Sequence, residues 1–378
     1  MNYADEFSLD RGLIHLNHAG VSPWPRRVVA AIATFASENA RVSSLDYASW
    51  LVAEQGLRER LRRLINAGSS DSIALLKNTS EGLSTVAFGL PWRRGDSVVG
   101  IAQEFPSNRA VWAALEPRYG VQFRAVDIAG RDDPEAALFD AVDHSTRLIA
   151  VSAVQYATGL RMDLERIGAF CNRRGILFCV DAIQHLGALP FDVEAFQADF
   201  VAADGHKWLL APEGVALFYC RETQLERLTL NQYGWHMQQR VRDFEATLNP
   251  PAADARRFEA GSPNNLGIRA LSASLDLLLE IGMERVAAAI AERVAQIAEE
   301  VARRDWNWVT PNAPERRAGI ATFSIAGVDH PGLFQKLIEN RVLCAQRAGG
   351  IRFSPHFHTS KDAAARAFQV IDALVSRP

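Results

Sequence analysis

Seven short apolar runs alternate with amphipathic stretches between about residue 70 and residue 220. The runs read SIALL, SVVGIA, VQFRAV, RLIAVSAV, ILFCV, DFVAA and VALFY, and they are polar only at their ends. Such runs, rich in β-branched and aromatic residues, are typical of strands buried on both faces of a sheet. One intervening stretch, MDLERIGAFCNRRG, predicts a helix with Asp163 as N-cap and Gly175 at its end. The alternation predicts an α/β domain with a mostly parallel sheet covered by helices.

The C-terminal third has a different pattern. A long helical pattern ends at about Arg304 and has a break near Gly282. Shorter patterns follow: ATFSI, a helix near 331–340, VLCAQR, IRFSP and a helix near 360–376. We therefore predict a large domain over residues 15–282 and a smaller α+β domain over residues 283–378, which residues 1–14 join.

Composition disfavours several classes of function. The 378 residues are 48% hydrophobic and 22% charged, and the formal net charge of −3 offers no electrostatic case for nucleic acid or an anionic membrane. No apolar run approaches the roughly 20 residues of a membrane span, and MNYADEFSLDRG lacks the pattern of a signal peptide. The cysteines, Cys171, Cys179, Cys220 and Cys344, show no C-x-x-C spacing. We expect a cytoplasmic protein with reduced thiols, no zinc site, and no membrane or nucleic-acid partner.

Polar residues directly after the apolar runs are the candidates for a site, because ligands of an open α/β sheet bind outside the carboxyl ends of its strands. Thr79 and Ser80 open a helical pattern after SIALL, where free backbone N–H groups and hydroxyls suit a phosphate. A simple Ser/Thr N-cap explains the same motif. Asp181 ends ILFCV with Gln184 one turn later, and it is either a partnered buried carboxylate or an N-cap. Gln155 ends RLIAVSAV.

Lys207 lies in the least polar part of its segment, DFVAADGHKWLLAPEGVALFY. An ammonium is costly to bury there unless it is paired or chemically used, although a surface turn between two strands explains the residue equally well. Pyridoxal phosphate would use a lysine, a buried acid opposite its pyridine nitrogen and a phosphate cradle together. A dinucleotide would require G-x-G-x-x-G, which is absent. The nine histidines show no metal-hydrolase spacing.

Four motifs in order resemble those of the class V aminotransferase family. VDAIQHLG is followed by ADGHKW, with 207 − 181 = 26 positions from Asp181 to Lys207, and then by FEAGSPNN and RFSPHF. The resemblance spans roughly residues 14 to 358. It implies the fold type I architecture of pyridoxal phosphate enzymes, with pyridoxal 5′-phosphate as cofactor. The family includes cysteine desulfurases, isopenicillin N epimerase-like proteins and kynureninase-like enzymes.

The resemblance also implies a role for each matching residue. Lys207 would form the covalent link (a Schiff base) to the cofactor and later move the substrate's α-proton, and Asp181 would pair with the pyridinium nitrogen. Phe105 has the position that stacks on the ring, and Arg352 matches the arginine that binds the α-carboxylate. Ser262 matches a segment that reaches the neighbouring subunit's phosphate, which implies a homodimer with composite sites. The other cofactor contacts would be Gln184 and Gln155 at the ring oxygen, and Thr79, Ser80 and His206 at the phosphate.

Three positions depart from the cysteine desulfurase pattern. Those enzymes have a histidine where this chain has Phe105, and a catalytic cysteine on a loop shortly before the carboxylate arginine. Here CAQRAGGIRFSP leaves no room for such a loop between Cys344 and Arg352, and Cys344 itself falls in an apolar strand pattern that predicts a core residue. Asp204 stands where many relatives have Ser or Thr, and an ionised carboxylate would repel a phosphate, so we do not expect it to be a ligand.

The shared residues do not separate the reactions of the family. Amino-group transfer, racemisation and β/γ-elimination such as C–S lysis all begin with removal of the α-proton. Phe105 supplies no proton, so Lys207 would have to move the proton at both the substrate's α-carbon and the cofactor's aldehyde carbon. One base that serves both carbons favours an aminotransferase acting on an amino acid. A C–S lyase or cysteine desulfurase-like enzyme, or an isopenicillin N epimerase-like racemase that uses His18, His356 or His358 as a second acid, is the alternative. A non-catalytic cofactor-binding protein is disfavoured, and the sequence does not indicate the substrate's side chain.

Overall fold

The computed structural model describes residues 3–245 and 249–376. The strands in these ranges are β1 Ile14–His15, β2 Ile73–Leu76, β3 Ser97–Ile101, β4 Gln122–Val126, β5 Thr146–Ser152, β6 Leu177–Asp181, β7 Phe200–Asp204, β8 Ala216–Cys220, β9 Asn307–Trp308, β10 Ala321–Ser324, β11 Val342–Leu343, β12 Ala345–Arg347 and β13 Gly350–Phe353. The α-helices are α1 Arg26–Val42, α2 Tyr47–Leu64, α3 Thr79–Gly89, α4 Ser107–Ala113, α5 Leu115–Tyr119, α6 Pro134–Asp140, α7 Leu164–Arg174, α8 Asn265–Ile281, α9 Met283–Arg303, α10 His330–Glu339 and α11 Ala363–Val375. Short 3₁₀ helices cover Ala4–Glu6, Ser70–Ser72, Glu222–Arg227, Ala255–Phe258 and Pro314–Arg316.

The seven apolar runs between residues 70 and 220 are the strands of one 7-stranded sheet, in the spatial order β2-β8-β7-β6-β5-β3-β4. Neighbouring strands from β4 to β7 are parallel, whereas β8 is antiparallel to both β7 and β2. The reversal follows from the short connection between β7 and β8, which contains no crossover helix. The predicted α/β fold with a mostly parallel sheet covered by helices is confirmed.

Burial along the strands matches the prediction except at one edge of the sheet. β3, β7 and β8 are buried along their whole length, as expected of strands covered on both faces. β4 has a neighbour on one side only, and its Gln122 and Ala125 are exposed. The expectation that VQFRAV is buried on both faces is therefore wrong, because an edge strand keeps part of its surface accessible.

The predicted helix boundaries follow from their capping residues. The carboxylate of Asp163 accepts a hydrogen bond from the backbone N–H of Arg166 at 3.0 Å at the start of α7, and Gly175 ends the helix with φ of 65°. The long C-terminal pattern is divided into α8 and α9 at Gly282, whose φ of 87° interrupts the helix. Both predictions are confirmed.

A second sheet, antiparallel and of four strands, has the order β12-β13-β10-β9. α9 and α10 pack with α11 around it. β1 pairs in parallel with β11, with Ile14 opposite Val342, so the N-terminal segment lies with the C-terminal part of the chain. The division into residues 15–282 and residues 283–378 with 1–14 stays a prediction.

Buried aromatic side chains fill the core on both sheets. Phe178 and Phe200 are fully buried in the large sheet. Phe323, Phe353 and Phe368 form ring pairs with centroids 5.3 to 5.8 Å apart between the second sheet and α11. In the described part of the chain, no helix combines the length and the apolar character needed to cross a bilayer.

Candidate active site

The carboxyl ends of β3, β5, β6 and β7 meet at one edge of the large sheet. Phe105 follows β3, Gln155 follows β5, Asp181 ends β6, and Lys207 follows β7. β4 and β5 lie on opposite sides of β3, so the chain connections diverge there and leave a crevice. Such a crevice is where open α/β sheets bind ligands, so four of the predicted site residues lie where a ligand would bind.

Lys207 is the lysine of this crevice, and its side chain is largely shielded from solvent. Its Nζ lies 5.6 Å from the centroid of the Phe105 ring, and no residue in the described ranges forms a hydrogen bond or an ion pair with it. Burial lowers the pKa of Lys207 to about 8, against the opposing charge of Asp181. A neutral amine, the form that attacks a carbonyl carbon, is therefore available close to neutral pH. This placement is not that of a surface turn.

Asp181 supplies the buried carboxylate of the site. One of its oxygens, Oδ1, accepts a hydrogen bond from the backbone N–H of Ile183 at 3.1 Å. Burial raises the pKa of Asp181 to about 6, while that hydrogen bond and the charge of Lys207 act in the opposite direction. A cationic group placed against this carboxylate would keep it ionised.

Thr79 and Ser80 are the first two residues of α3, and the helix is capped by a different residue. The Asn78 side chain accepts from the backbone N–H of Glu81 at 2.9 Å and is the N-cap. The Ser80 hydroxyl donates to Ser107 Oγ at 2.9 Å at the surface. The Thr79 and Ser80 hydroxyls are therefore not needed for capping, which favours the anion site over the simple N-cap explanation.

His206 and Thr79 are held beside each other by Asp204. The Thr79 hydroxyl oxygen accepts from the backbone N–H of Asp204 at 3.0 Å, so its hydrogen remains free to donate. His206 Nδ1 lies 3.1 Å from Asp204 Oδ2, which leaves the other ring nitrogen for a ligand. The buried Asp204 carboxylate thus faces the His206 ring, in agreement with its exclusion from the predicted phosphate ligands.

Gln184 is fixed by contacts with two segments. Its Oε1 accepts from Trp208 Nε1 at 2.8 Å, and its Nε2 donates to the Ala19 carbonyl at 3.0 Å. The second N–H of the amide remains free to donate a hydrogen bond to a ring oxygen of the cofactor. Gly187 explains part of the QHLG motif, because it has φ of 90° and a Cβ there would lie 2.2 Å from the Trp208 carbonyl oxygen.

Arg352 is a buried guanidinium at the centre of β13. It donates from Nη1 to the Tyr156 carbonyl at 2.7 Å and from Nη2 to Asn17 Oδ1 at 3.3 Å, while its Nε has no partner. No carboxylate of the described residues pairs with it. Burial lowers the pKa of Arg352 to about 9, and an incoming carboxylate would supply the missing charge and hydrogen bonds.

Phe105 and Tyr156 form an aromatic pair beside Arg352. Phe105 is exposed, and its ring meets the Tyr156 ring edge-on with centroids 5.3 Å apart. The loop that carries Tyr156 is bound to the second sheet, because Thr322 Oγ1 donates to the Ala157 carbonyl and Thr310 Oγ1 to the Thr158 carbonyl, each at 2.7 Å. The exposed ring of Phe105 is available for stacking against a planar ligand.

Cys344 cannot act as a sulfur acceptor in this geometry. β12 and β13 form a tight hairpin in which Arg347 pairs with Gly350 through the two residues Ala348 and Gly349, both with positive φ. No loop therefore separates Cys344 from Arg352. The thiol is buried, and burial raises the pKa of Cys344 to about 12, so it stays protonated and unreactive.

The histidines proposed as a second acid form a cluster next to the Trp208 ring. His18 Nδ1 contacts the Ser354 carbonyl at 2.9 Å, and its Nε2 lies 3.0 Å from His358 Nε2. His356 Nε2 donates to the Trp208 carbonyl at 3.1 Å. Burial lowers the pKa of His356 to about 4 and the pKa of His18 and His358 well below the ordinary value. Neutral rings that bond to each other and to backbone offer no proton donor to the site.

Ser262 makes no hydrogen bond to the other candidates among the described residues. It is exposed just before α8 and accepts from Trp235 Nε1 at 3.4 Å. The neighbouring Asn264 caps α8 and donates to the Gly214 carbonyl at 2.9 Å. No hydrogen bond in the described ranges connects Ser262 with Lys207, so its role at a partner's phosphate stays a prediction.

Sequence reasoning missed three polar residues of this site. Glu104 is buried beside Ser152 and Gln155, Tyr156 contacts Phe105, and Asn17 bonds to Arg352. A signal existed for Glu104 and Tyr156, since each directly adjoins a predicted site residue at a strand end. Asn17 follows a strand of two residues, which is too short to be recognised by its pattern.

The donor set fits pyridoxal phosphate. An unpartnered lysine faces an exposed aromatic ring, and a buried carboxyl lies on the adjacent strand. The N-terminus of α3 at Thr79 and Ser80, together with His206 after β7, offers donors. An orphaned buried atom, Arg352 Nε, marks a position where a ligand would supply the missing partner.

Comparisons with known proteins identify the family and the fold of the chain. Residues 14–363 match the family model described as Aminotransferase class-V. A probable cysteine desulfurase of Methanothermobacter thermautotrophicus is 35% identical over 350 residues, covering 90% of this chain and 85% of that protein. Among solved structures, a cystine C-S lyase, C-DES, in complex with its reaction product cysteine persulfide superposes with a TM-score of 0.90 at 24% identity, over 96% of this chain and 98% of that chain. The apo cysteine desulfurase from Thermococcus onnurineus NA1 has a TM-score of 0.87 at 23% identity, over 96% and 95% of the two chains.

Proposed function

The chain belongs to the class-V aminotransferase family, and from that premise we propose that it is a C–S lyase acting on cysteine or a cysteine derivative. Pyridoxal 5′-phosphate is its cofactor. The observation that carries the proposal is the 35% identity, over 90% of the chain, to a probable cysteine desulfurase. The comparisons give no specific support to amino-group transfer, which the sequence favoured, and they fit the lyase alternative better.

The proposed enzyme releases sulfur without a protein persulfide. All four cysteines are buried, and Cys344 directly precedes the β12–β13 hairpin, with no loop between it and Arg352 other than the two-residue turn. Desulfurases that transfer sulfur through their own cysteine need an accessible thiolate. We therefore propose β-elimination, in which the C–S bond breaks and sulfur leaves as sulfide, as a thiol or, from a disulfide substrate, as a persulfide. Water then hydrolyses the remaining unsaturated amino acid to pyruvate and ammonia.

The described residues support this reaction with distinct roles. Bound pyridoxal phosphate supplies the electron-withdrawing ring that makes the α-proton acidic. Lys207 takes the α-proton as a neutral amine, Asp181 keeps the ring nitrogen protonated, and Arg352 binds the substrate carboxylate. Phe105 stacks on the ring, and its lack of a proton donor leaves proton transfer at the α-carbon to Lys207.

A substrate panel without any added 2-oxo acid tests the reaction. The purified enzyme is incubated with L-cysteine, L-cystine, S-methyl-L-cysteine and L-alanine, and pyruvate, ammonia and sulfide or thiol are measured. Catalytic pyruvate formation from a sulfur substrate, with none from alanine, is expected. Lys207→Ala should lower turnover by at least about 10²-fold, whereas Cys344→Ala should leave it unchanged.

Other outcomes identify other reactions. Product that stops at one equivalent until a 2-oxo acid is added means amino-group transfer. Exchange of the α-proton with loss of chirality, without pyruvate, means racemisation. Loss of activity in Cys344→Ala, with the fold intact, would restore a persulfide mechanism.

A further inference from the structure

Glu104 lies beside the proposed cofactor site. Its buried carboxyl has no cationic partner among the described residues. Its Oε1 accepts from the backbone N–H of Ser152 at 2.6 Å and from Gln155 Nε2 at 3.2 Å, and its Oε2 bonds to the Ser152 hydroxyl. No Lys, Arg or His in the described ranges forms an ion pair with it. A carboxylate buried in this way without a cation is costly, so the arrangement favours the protonated form.

The neighbouring strand strengthens this conclusion. Ser152, which holds Glu104, is the register partner of Asp181 across β5 and β6. Two carboxyls in one buried layer repel each other when both are ionised, and Asp181 is the one that the ring nitrogen would keep charged. Burial raises the pKa of Glu104 to about 7, and the charge of Asp181 acts in the same direction.

We propose that Glu104 is a positioning residue of the cofactor site, a neutral carboxylic acid that orients the amide of Gln155 toward the cofactor ring. The inference rests on the proposed cofactor site. It concerns the binding of pyridoxal phosphate, whichever reaction follows.

The hydrogen bonds that the Glu104 carboxyl can form decide which way the Gln155 amide points. Gln155 has an amide whose Oε1 is buried without a partner while its Nε2 bonds to Glu104. A carboxylate only accepts, so it can bind the amide only through Nε2. A carboxylic acid also donates, so it can bind Oε1 of the flipped amide and leave both N–H groups free for the ring oxygen. The neutral acid is therefore the form that lets Gln155 donate fully to the cofactor.

Cofactor titration of matched variants tests the proposal. Cofactor-free wild type, Glu104→Gln, Glu104→Ala, Gln155→Ala and the double alanine variant are titrated with pyridoxal phosphate, and the dissociation constant and the circular dichroism of the cofactor band are recorded. Glu104→Gln keeps a neutral donor and acceptor and should bind within about 2-fold of wild type with an unchanged band. Glu104→Ala should bind about 10-fold more weakly with an altered band, as a lost buried hydrogen bond implies. Exposed Glu116→Ala on α5 is the control.

The double variant shows whether Glu104 acts through Gln155. If it does, Gln155→Ala reproduces the effect of Glu104→Ala, and the double variant is no worse than either single variant. Three outcomes would each overturn the proposal. Glu104→Gln could bind pyridoxal phosphate as weakly as Glu104→Ala does, Glu104→Ala could bind it as tightly as wild type, or the effects of the Glu104 and Gln155 substitutions on binding could add. Should Glu104→Ala fail to fold, the cycle is run with Glu104→Leu, which matches the glutamate in size and lacks its hydrogen bonds.

The two proposals fail in different ways. A wild type that binds no pyridoxal phosphate overturns the cofactor site and both proposals with it. A wild type that binds the cofactor normally but makes no pyruvate overturns the lyase reaction alone.

Discussion

Burial sets the charge of the ionisable side chains at the strand ends. It lowers the pKa of Lys207 to about 8 and raises the pKa of Asp181 to about 6, so both groups shift toward their neutral forms. The cysteines are also kept neutral, because burial raises their pKa. A site whose lysine has a pKa near neutrality and which holds no thiolate is suited to proton transfer at carbon and unsuited to sulfur transfer through the protein.

Asp181→Asn should lower turnover by at least about 10²-fold, because an electrostatic stabiliser of the reaction is removed. The amide has no charge to keep the ring nitrogen protonated, while Lys207 can still link to the cofactor. Steady-state kinetics together with the absorption spectrum separate these effects. Near-normal turnover would mean that another group faces the nitrogen.

Between about pH 5 and pH 7, Glu104 should make the stability of the cofactor-free protein fall relative to that of Glu104→Gln. The buried histidines, whose pKa burial lowers, act in the opposite direction in both proteins. The pKa of Glu104 is raised from 4.5 to about 7 by burial, so the folded protein holds a proton that the unfolded chain releases in this interval. A raised pKa in the folded state gives stability that is complete below pH 4.5 and lost as the pH passes 7. Glu104→Gln removes this group, so calorimetry should show the melting temperature of wild type falling relative to that of the variant as the pH rises through this interval.

Exposed Glu116→Gln should follow the wild-type profile. Asp181, whose pKa burial raises to about 6, adds to the lower half of the interval in all three proteins. Identical profiles for wild type and Glu104→Gln would contradict the assignment of a protonated Glu104.

At the scale of elements, a buried charge network connects α2, β2 and the segment before α8. Arg58 Nη2 donates to Glu259 at 2.6 Å, and Glu259 also accepts from the backbone N–H of Leu75 at 2.8 Å. His236 Nε2 lies 3.1 Å from Glu54 Oε2. The network holds the stretch that leads to Ser262 against the edge of the sheet.

Arg58→Leu should destabilise the protein by about 3–5 kcal/mol, because it leaves buried carboxylates without their cation. Chemical denaturation measures the change. Arg62→Leu is the matched control on the same helix, since its pair with Glu59 is in solvent and should contribute little. Equal losses of unfolding free energy in the two variants would show that the buried ion pair contributes no more to stability than the exposed one.

At the scale of the whole molecule, two observations predict a dimer with shared sites. Ser262 is exposed and makes no hydrogen bond to the other site residues in the described ranges, and large apolar side chains such as Leu45 and Val52 are 84% and 72% exposed. A second copy would cover this surface and bring Ser262 to the partner's phosphate. The dimer and the cytoplasmic location both stay predictions.

Mixing two inactive variants tests the shared site. Lys207→Ala removes the lysine, and Ser262→Asp should weaken cofactor binding by placing a carboxylate against the phosphate. In a composite dimer, each hybrid has one site with both native residues, so random reassembly should restore about a quarter of wild-type activity. Reassembly that is verified by mass and restores no activity would place Ser262 in its own chain's site.

The sequence by itself determined the seven strands of the large sheet, the ends of α7, the break between α8 and α9, the family and the cofactor. These depend on local patterns: apolar runs, the caps Asp163 and Gly175, and short motifs such as VDAIQHLG and ADGHKW. Tertiary structure alone showed that β8 is antiparallel, that β4 is an edge strand, and that His18 is buried in a cluster instead of facing the site. It also showed that Glu104 bonds to Ser152 of β5, which is the strand next to that of Asp181. Such relations depend on which strands become neighbours, and a one-dimensional pattern carries no information about distance between segments far apart in the chain.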